Sequence, residues 1–314
     1  MMFAKWRQVR HLSDDRGFAL VVVLWIAGLL AVLTASFALS VGTKVRVAAN
    51  LVENARAEAL ADAGVTLAVM DLLSARRTPD HRRRFPSDGR PVPCSIEGKG
   101  GLSISVTDES SKIDANAAGI PLLHALMVGL GEPPDKASQI ADAIFDFRDA
   151  DDNKRPSGAE SAEYRAAGLG WLPKNAPFQS LDELGQVYGM TPQLLARMKP
   201  YLGLHTGLAG FDPSLASETM IGILRAGLEG TAGVFGSFPE FNSAVALPDM
   251  FVASSQQKIF DLHVEARTDT GAVFVREAVV DIGARQPAQP LFMRWTRAPQ
   301  ALAGAAAGGR GPHC

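Results

Sequence analysis

The chain has 314 residues, a formal net charge of −2 and only two cysteines. At roughly 150 residues per domain, this length allows about two compact units in addition to a membrane helix. Because the charge is nearly balanced, recognition of a partner chiefly through its phosphates is disfavoured, and no nucleic-acid partner is expected.

A membrane-spanning helix is the first element that the sequence predicts. Residues Phe18 to Val41 form an apolar run without Lys, Arg, Asp or Glu. At ~1.5 Å per residue, this run is long enough to cross the roughly 30 Å hydrocarbon core of a bilayer. By the positive-inside bias, the basic residues before it stay in the cytoplasm and the bulk of the chain is exported. These residues are Lys5, Arg7, Arg10 and Arg16.

The Gly17-Phe18 junction lies between the basic leader and the apolar run. An ordinary secretory signal has a shorter apolar core and small residues on its far side, and no clear A-x-A site closes this run. The order found here is similar to that of type IV prepilin leaders. The similarity implies that a membrane peptidase removes residues 1–17 and that Phe18 becomes a methylated N-terminus. The alternative is an uncleaved signal anchor holding a periplasmic domain.

The helix is expected to continue beyond the membrane segment, residues 18–41. Apolar residues recur at three- and four-residue steps from Val41 to Leu67, with charged residues among them, which indicates one amphipathic helix reaching about Ser74. Its apolar face needs a sheet to cover it. We therefore expect a helix and the first strands of an α+β domain within residues 42–107.

Three segments predict the strands of an antiparallel sheet. Gly101 to Thr107 alternates apolar and polar residues, as a half-buried strand does. Lys258–Arg267 and Ala272–Ile282 flank the turn Asp269-Thr270-Gly271, which is a hairpin signal. The sheet is therefore expected to receive strands from both sides of a central insertion, with residues 230–285 forming the return.

The insertion, residues 108–229, is predicted to be all-helical. Ser180 followed by Glu183 forms a capping-box pattern, and Thr191-Pro192 predicts a second helix start. Each predicted helix carries an apolar stripe. The helices are expected at Pro121–Leu130, Asp135–Phe147, Leu181–Tyr188 and Thr191–Leu202.

The last segment, residues 286–314, is rich in Ala, Gly and Pro and is predicted to be a flexible tail. Cys94 and Cys314 could pair in an exported protein. Because Cys314 ends the tail, the sequence gives no basis for predicting that disulfide.

Acidic residues are concentrated in the middle of the insertion. From Glu132 to Arg165 there are nine acids and five bases. Six carboxylates surround a loop at a predicted helix end, and flexible oxygen ligands suit calcium better than magnesium or zinc. The spacing is not that of an EF-hand, so a solvated acidic surface is the alternative. The six residues are Asp146, Asp149, Asp151, Asp152, Glu160 and Glu163.

Five segments in this order resemble the K-type minor pseudopilin family of type II secretion, and the resemblance reaches about Trp295. It implies a pilin-like long helix packed on an antiparallel sheet, with a large all-α insertion that is SAM-like or helix-hairpin-helix-like. It also implies calcium in the insertion, and we adopt the six carboxylates as the candidate ligands. The segments are Arg16–Leu20, Thr107–Ala118, Asp146–Asp152, Asn175–Phe178 and Ser180–Pro192.

The resemblance gives Val22 a role in assembly. Counted from Phe18, Val22 is the fifth residue, where most pilins and pseudopilins have a glutamate that neutralises the N-terminal ammonium of the subunit ahead. An unpaired charge in lipid is costly, so this pairing directs addition. A subunit with valine belongs where no subunit stands ahead, at the tip. The alternative is that Val22 is only a lipid-facing residue.

The family also implies location and partners. The chain would be a single-pass protein of the bacterial inner membrane with its bulk in the periplasm. It would initiate the pseudopilus and support protein export across the outer membrane. Its expected partners are minor pseudopilins of the I and J types, the inner-membrane assembly platform, prepilin peptidase, and the secretin or secreted cargo.

Two other functions are compatible with parts of the sequence. Helix pairs around Gly119 and Gly189 could form helix-hairpin-helix elements of a membrane-anchored DNA-binding module in an uptake system, but Asp182 and Glu183 open the better candidate. A calcium-dependent hydrolase would need a catalytic motif, and none is found. His124 lies in an apolar helix and is expected to be packed rather than catalytic. We therefore expect no enzymatic activity.

Overall fold

The structure, a computed structural model, describes residues 16–78, 82–230, 247–283, 289–298 and 312–314. The chain divides into two compact units, Met1–Arg56 and Ala57–Cys314. Leader residues 1–15 lie outside the described residues, as do residues 231–246 of the predicted return to the sheet.

The first unit contains the apolar part of helix α1 (Arg16–Arg77). Within it, Phe18–Phe37 has a mean hydropathy of 2.7 and none of it is buried. A helix that is apolar and exposed on all sides fits a membrane anchor. It is the one helix in the described part of the chain that is long and apolar enough to cross a membrane.

The second unit contains an antiparallel sheet and a helical module. The sheet has five strands in the order β1-β2-β5-β6-β7, and two further short strands pair with each other. The strands are β1 (Val92–Ile96), β2 (Gly100–Asp108), β3 (Ile113–Asp114), β4 (Leu202–Gly203), β5 (Ile259–Thr268), β6 (Val273–Asp281) and β7 (Leu291–Arg297). The predicted α+β class, the strand near Gly101 and the β5–β6 hairpin are confirmed.

One face of the sheet is covered by the part of α1 that follows Arg56. Alternate residues of β2 and β5 are buried there, including Ile104 and Val264, against Ala61, Val65 and Leu72 of α1. This alternation is what a strand with one buried face requires. Because a Cβ at Gly64 would lie 2.6 Å from Val264 Cγ1, only a residue without a side chain allows so close an approach.

A buried arginine adds a polar link between α1 and the sheet. Arg276 of β6 lies on the same face and is 6% exposed. Its Nη2 and Nε are each 2.7 Å from a carboxylate of α1, Glu58 and Asp62 respectively. A cation buried among apolar side chains is stable only with such partners.

The helical module has its own core. Its helices are α2 (Ile120–Gly129), α3 (Pro134–Arg148), α4 (Ser161–Ala166), α5 (Pro192–Met198) and α6 (Glu218–Gly230). Helices α2 and α6 approach so closely that a Cβ at Gly227 would lie 1.8 Å from the Ala125 carbonyl oxygen, and one at Gly129 would lie 1.9 Å from the Ile223 carbonyl oxygen. Glycine is therefore required on both sides of this contact.

The two ends of the module are joined at its base. Strands β3 and β4 pair in parallel, with Ile113 opposite Leu202. Beside them, the Ser255 hydroxyl donates to Asp108 Oδ2 at 2.6 Å, and the Asp212 amide donates to the Ser110 carbonyl at 2.7 Å. These bonds hold the end of β2 near the residues that lead into β5.

Several predictions within the module need correction. Leu181–Gln186 is a 3-10 helix, and Ser180 makes no side-chain capping bond. The Glu183 carboxylate accepts from Lys174. The Thr191 start is confirmed, since its hydroxyl accepts from the Leu194 amide at 3.2 Å. Helix α5 ends at Met198, before Pro200. A short 3-10 helix brings Phe251 into the module core, beyond the predicted boundary at residue 229.

The prediction of a flexible tail at residues 286–314 is wrong in two places. Leu291–Arg297 forms strand β7 against β6, with a register shift between Val279 and Val280. The Cys94–Cys314 disulfide and a parallel bridge between Ser95 and His313 attach the last residues to β1. Composition alone missed both, because each depends on partners far away in the sequence.

Candidate functional site

The predicted processing junction lies at the start of α1. Helix α1 begins at Arg16, so Gly17 and Phe18 are in its first turn. Phe18 is 75% exposed and Val22 is 38% exposed. No Asp or Glu occurs between Phe18 and Val41, so this span lacks a carboxylate that could pair with an ammonium in the membrane. Cleavage and methylation stay predictions.

The acidic cluster lies where α3 ends and α4 begins. Asp149 caps the C-terminus of α3, and its amide donates to the Phe145 carbonyl. The loop then leads to Glu160, the N-cap of α4. The sequence therefore placed the cluster at a helix end correctly. The individual carboxylates, however, have different partners.

Asp146 organises the loop from inside. It is fully buried, and its two carboxylate oxygens accept from the Arg155 amide at 3.3 and 3.2 Å. Burial raises the pKa of Asp146 to about 6. A Cβ at Gly158 would lie 2.0 Å from Asp146 Oδ2, so the loop passes directly over this carboxylate.

Glu163 also has a structural role. Its Oε2 accepts from the Glu160 amide at 3.0 Å, which is one half of a capping box at the start of α4. Its Oε1 is 2.8 Å from Lys154 Nζ. Both oxygens of Glu163 therefore already have partners, and its role as a calcium ligand stays a prediction.

Four buried oxygen atoms of the cluster have no hydrogen-bond partner among the described residues. Both carboxylate oxygens of Glu160 are among them, with Oδ1 of Asp149 and Oδ1 of Asn175. Burial and the nearby aspartates raise the pKa of Glu160 to about 7. Buried oxygens without donors are costly and require an explanation, such as an ion.

Asn175 is a candidate ligand that the sequence analysis did not identify as a ligand. It has a φ of 49°, in the left-handed region that Asn tolerates better than most residues. Its Nδ2 donates to Asp152 Oδ1 at 2.9 Å and to the Asp151 carbonyl at 3.2 Å, while its Oδ1 has no partner. The signal in the sequence is its place in the segment Asn175–Phe178, one of the five segments that carry the family resemblance.

Asp151 and Asp152 lie on the exposed side of the loop. Asp151 Oδ1 accepts from the Asn153 amide at 2.8 Å. Within the described residues, no three His, Cys, Asp or Glu side chains are grouped closely enough to hold a metal. Calcium also takes amide and backbone carbonyl oxygens, so the donors present, a few carboxylates with Asn175, are of the type that calcium uses.

The alternatives find little support in this geometry. His124 is buried, its Nε2 is 3.1 Å from the Pro134 carbonyl oxygen, and burial lowers its pKa, as is usual for a packed histidine. Asp182 and Glu183 occupy the first turn of the 3-10 helix proposed for DNA contact. Carboxylates at that position would repel phosphate.

Residues 102–205 match the family model of type II secretion system (T2SS), protein K. The segment includes β2, the acidic cluster and α5. Over this part of its length, about a third, the chain is similar to protein K of the type II secretion system.

Similar proteins occur in several bacteria. The chain is 28% identical over 205 residues to the type II secretion system protein K of Klebsiella pneumoniae, covering 60% of this chain and 62% of that protein. It is 26% identical over 206 residues to the one of Pectobacterium carotovorum subsp. carotovorum, covering 60% and 63%. The chain thus aligns with less than two thirds of either relative.

A solved structure shares the fold of this chain. It comes from the GspK-GspI-GspJ complex of the enterotoxigenic Escherichia coli Type 2 Secretion System, with a TM-score of 0.56 and 17% identity. The match covers 82% of this chain and 99% of that one. At this identity the likeness concerns the fold alone.

Proposed function

We propose that this chain is a non-enzymatic minor pseudopilin that forms the tip of the type II secretion pseudopilus and initiates its assembly. Its similarity to protein K of the type II secretion system and its apolar helix support this proposal. The observation that carries the tip position is Val22, in a span without a carboxylate. The proposed partners are minor pseudopilins of the I and J types, the assembly platform, prepilin peptidase, and the secretin or cargo.

In this proposal, the chain lies in the inner membrane with its bulk in the periplasm and supports protein export across the outer membrane. Prepilin peptidase cuts after Gly17, and Phe18 becomes the methylated N-terminus. Mass spectrometry of the chain coexpressed with that peptidase tests this step. An intact leader on the mature protein would contradict processing and would favour a signal anchor.

A glutamate at position 22 is expected to impair the tip subunit. With no subunit ahead to supply an ammonium, Val22→Glu places a carboxylate in lipid, at a cost of about 2.5–3.5 kcal/mol on insertion scales. The measurement is export of a reporter enzyme into the medium by cells that depend on this chain. We expect Val22→Glu to be as defective as Val23→Glu, the neighbouring control.

The Val23→Glu control distinguishes a position at the tip of the filament from a position inside it. If a subunit stood ahead of this chain, its N-terminal ammonium would neutralise Glu at position 22 but not at position 23. Tolerance of Val22→Glu together with a defect in Val23→Glu would therefore place the chain inside the filament and contradict the tip role. Immunoblots of membranes check that both variants accumulate.

We further propose that the loop between α3 and α4 binds calcium structurally. The unpartnered oxygens of Glu160, Asp149 and Asn175 support this, with Asp151 and Asp152 beside them. When bound, calcium would neutralise these crowded carboxylates. Asp146 and Glu163 would keep the loop and the start of α4 in position around the ligand atoms.

Calcium is expected to raise the melting temperature of the full chain relative to EGTA. At a concentration 100 times the dissociation constant, an ion that binds only the folded state adds about 2.7 kcal/mol of stability. Thermal unfolding in calcium, in magnesium and in EGTA measures the effect. We expect Glu160→Gln and Asn175→Gly to lose it, the latter because glycine keeps the positive φ and removes the side chain that carries Oδ1.

Glu163→Gln is the matched control for the calcium experiment. Because both oxygens of Glu163 serve capping and Lys154, this variant should keep the calcium-dependent shift while lowering the baseline stability. A shift that is absent in the unmodified chain, or one that disappears only with Glu163→Gln, would contradict the proposed ligands.

A further inference from the structure

The two edge strands of the five-stranded sheet, β1 and β7, differ in whether their outer side is covered. At the β1 edge, the Ser95 amide donates to the Pro312 carbonyl and the Cys314 amide donates to the Ser95 carbonyl, both at 3.0 Å. The disulfide to Cys94 fixes this pairing, and the Arg84 guanidinium donates to the carbonyls of His313 and Cys314. Residues 312–314 therefore occupy the edge that another strand would need.

The β7 edge is open over the described part of the chain. Strand β7 pairs with β6 on one side, and no described residue pairs with its other side. In an antiparallel strand, alternate residues direct their N–H and C=O groups away from the paired neighbour. Such groups can pair with an added strand from another chain.

The side chains of β7 are apolar and accessible. Four large apolar residues of this strand are 40–42% exposed, and the Phe292 and Trp295 rings meet edge to face at 5.0 Å. Native sheets usually protect an edge with charges or proline. Of the two charged residues of β7, Arg294 is directed toward Asp261 at 3.3 Å, and Arg297 is exposed and lies 4.8 Å from the centre of the Phe274 ring. The apolar residues are Leu291, Phe292, Met293 and Trp295.

The charge at this edge is positive. Residues 289–298 contain two arginines and no acid. Arg297 lies directly opposite Arg276, so a like charge is beside it. The charge of Arg276 is balanced by Glu58 and Asp62. Arg297 has no carboxylate partner among the ion pairs of the described residues. An acidic group on an incoming strand would complement this position.

We propose that the free edge of β7 binds an extended segment of a partner protein in which apolar residues alternate with acidic ones. The segment adds to the sheet as a further strand, with main-chain hydrogen bonds to β7. Its apolar residues contact Phe292, Met293 and Trp295, and its carboxylates lie near Arg297. This interaction does not depend on the tip role.

The test uses the full chain in nanodiscs of phosphatidylcholine and a fluorescent peptide of alternating valine and glutamate. We expect saturable binding by fluorescence anisotropy, and weaker or no binding of the valine-lysine counterpart. Met293→Thr and Arg297→Glu should each weaken the binding about tenfold, the range of a contact that matters at an interface.

Matched controls lie elsewhere on the same unit. Met250, which is 54% exposed, and Arg267 of β5 offer the same substitutions away from the edge, and Met250→Thr and Arg267→Glu should bind the peptide as the unmodified chain does. Circular dichroism checks that all variants are folded. Absent binding, equal binding of the lysine peptide, or unaltered binding by both β7 variants would overturn the proposal. Self-association lost with Met293→Thr would point to a second copy instead and would also overturn it.

Discussion

Gly227→Ala is expected to lower the free energy of unfolding by about 3 kcal/mol, at the upper end of the overpacking range. The added methyl group would lie 1.8 Å from the Ala125 carbonyl oxygen and 3.0 Å from the Gly129 amide nitrogen. Both are backbone atoms of α2, so helices α2 and α6 must separate. The roughly 1 kcal/mol that alanine gains over glycine in a helix offsets only part of this cost.

Gly222→Ala on the same helix is the matched control. A Cβ at Gly222 has no atom within 4 Å, so this variant should gain the helix-propensity term alone and be slightly more stable. For a chain of this size, 3 kcal/mol corresponds to a decrease in melting temperature of about 6–12 °C. Equal melting temperatures for the two variants would show that the α2–α6 contact is looser than described.

Loss of the Cys94–Cys314 disulfide is expected to cost about 2–5 kcal/mol. The two cysteines are 220 residues apart in the sequence, so the bond restricts a long segment of the unfolded chain. It also holds residues 312–314 on the β1 edge. Thermal unfolding of the unmodified chain with and without dithiothreitol measures the effect.

A double variant distinguishes the effect of losing the disulfide from other effects of the reductant on the chain. Cys94→Ala with Cys314→Ser should melt at the temperature of the reduced chain and should not respond to dithiothreitol. Alanine is chosen at position 94 because this cysteine is buried in the apolar core of the sheet. If the oxidised chain and the double variant melted together, the disulfide would not contribute to stability.

The sequence predicted the main elements because their signals are local. The apolar run after Gly17 predicts a helix and the alternation in Gly101–Thr107 predicts a strand, each without knowledge of distant residues. The turn that ends at Gly271 is also a local signal, because its glycine has the positive φ of 92° that glycine adopts readily. Strand β7 escaped detection because its apolar residues do not alternate with polar ones and a register shift accompanies its pairing. The disulfide depends on the path of the last residues, which composition does not report.

For the candidate site, the sequence located the acidic cluster but not the role of each residue. Asp146 and Glu163 have the same chemistry as Asp149 and Glu160, and only the path of the loop decides which oxygens receive backbone donors. Asn175 is 24 residues from Asp151 in the sequence and reaches it through a later loop. Such long-range contacts need the folded module, so spacing could not identify them.

The joined base of the helical module has a consequence for the order of folding. Asp108 and Phe260 are paired neighbours in the sheet, although the whole module separates them in the sequence. Closing so long a loop is entropically unfavourable and slow. Ser255 precedes the start of β5 by only a few residues. Once the Ser255–Asp108 hydrogen bond and the β3–β4 pair have formed, the start of β5 is therefore held close to Asp108. We therefore expect the module to fold first and to act as the template that aligns β5 with β2.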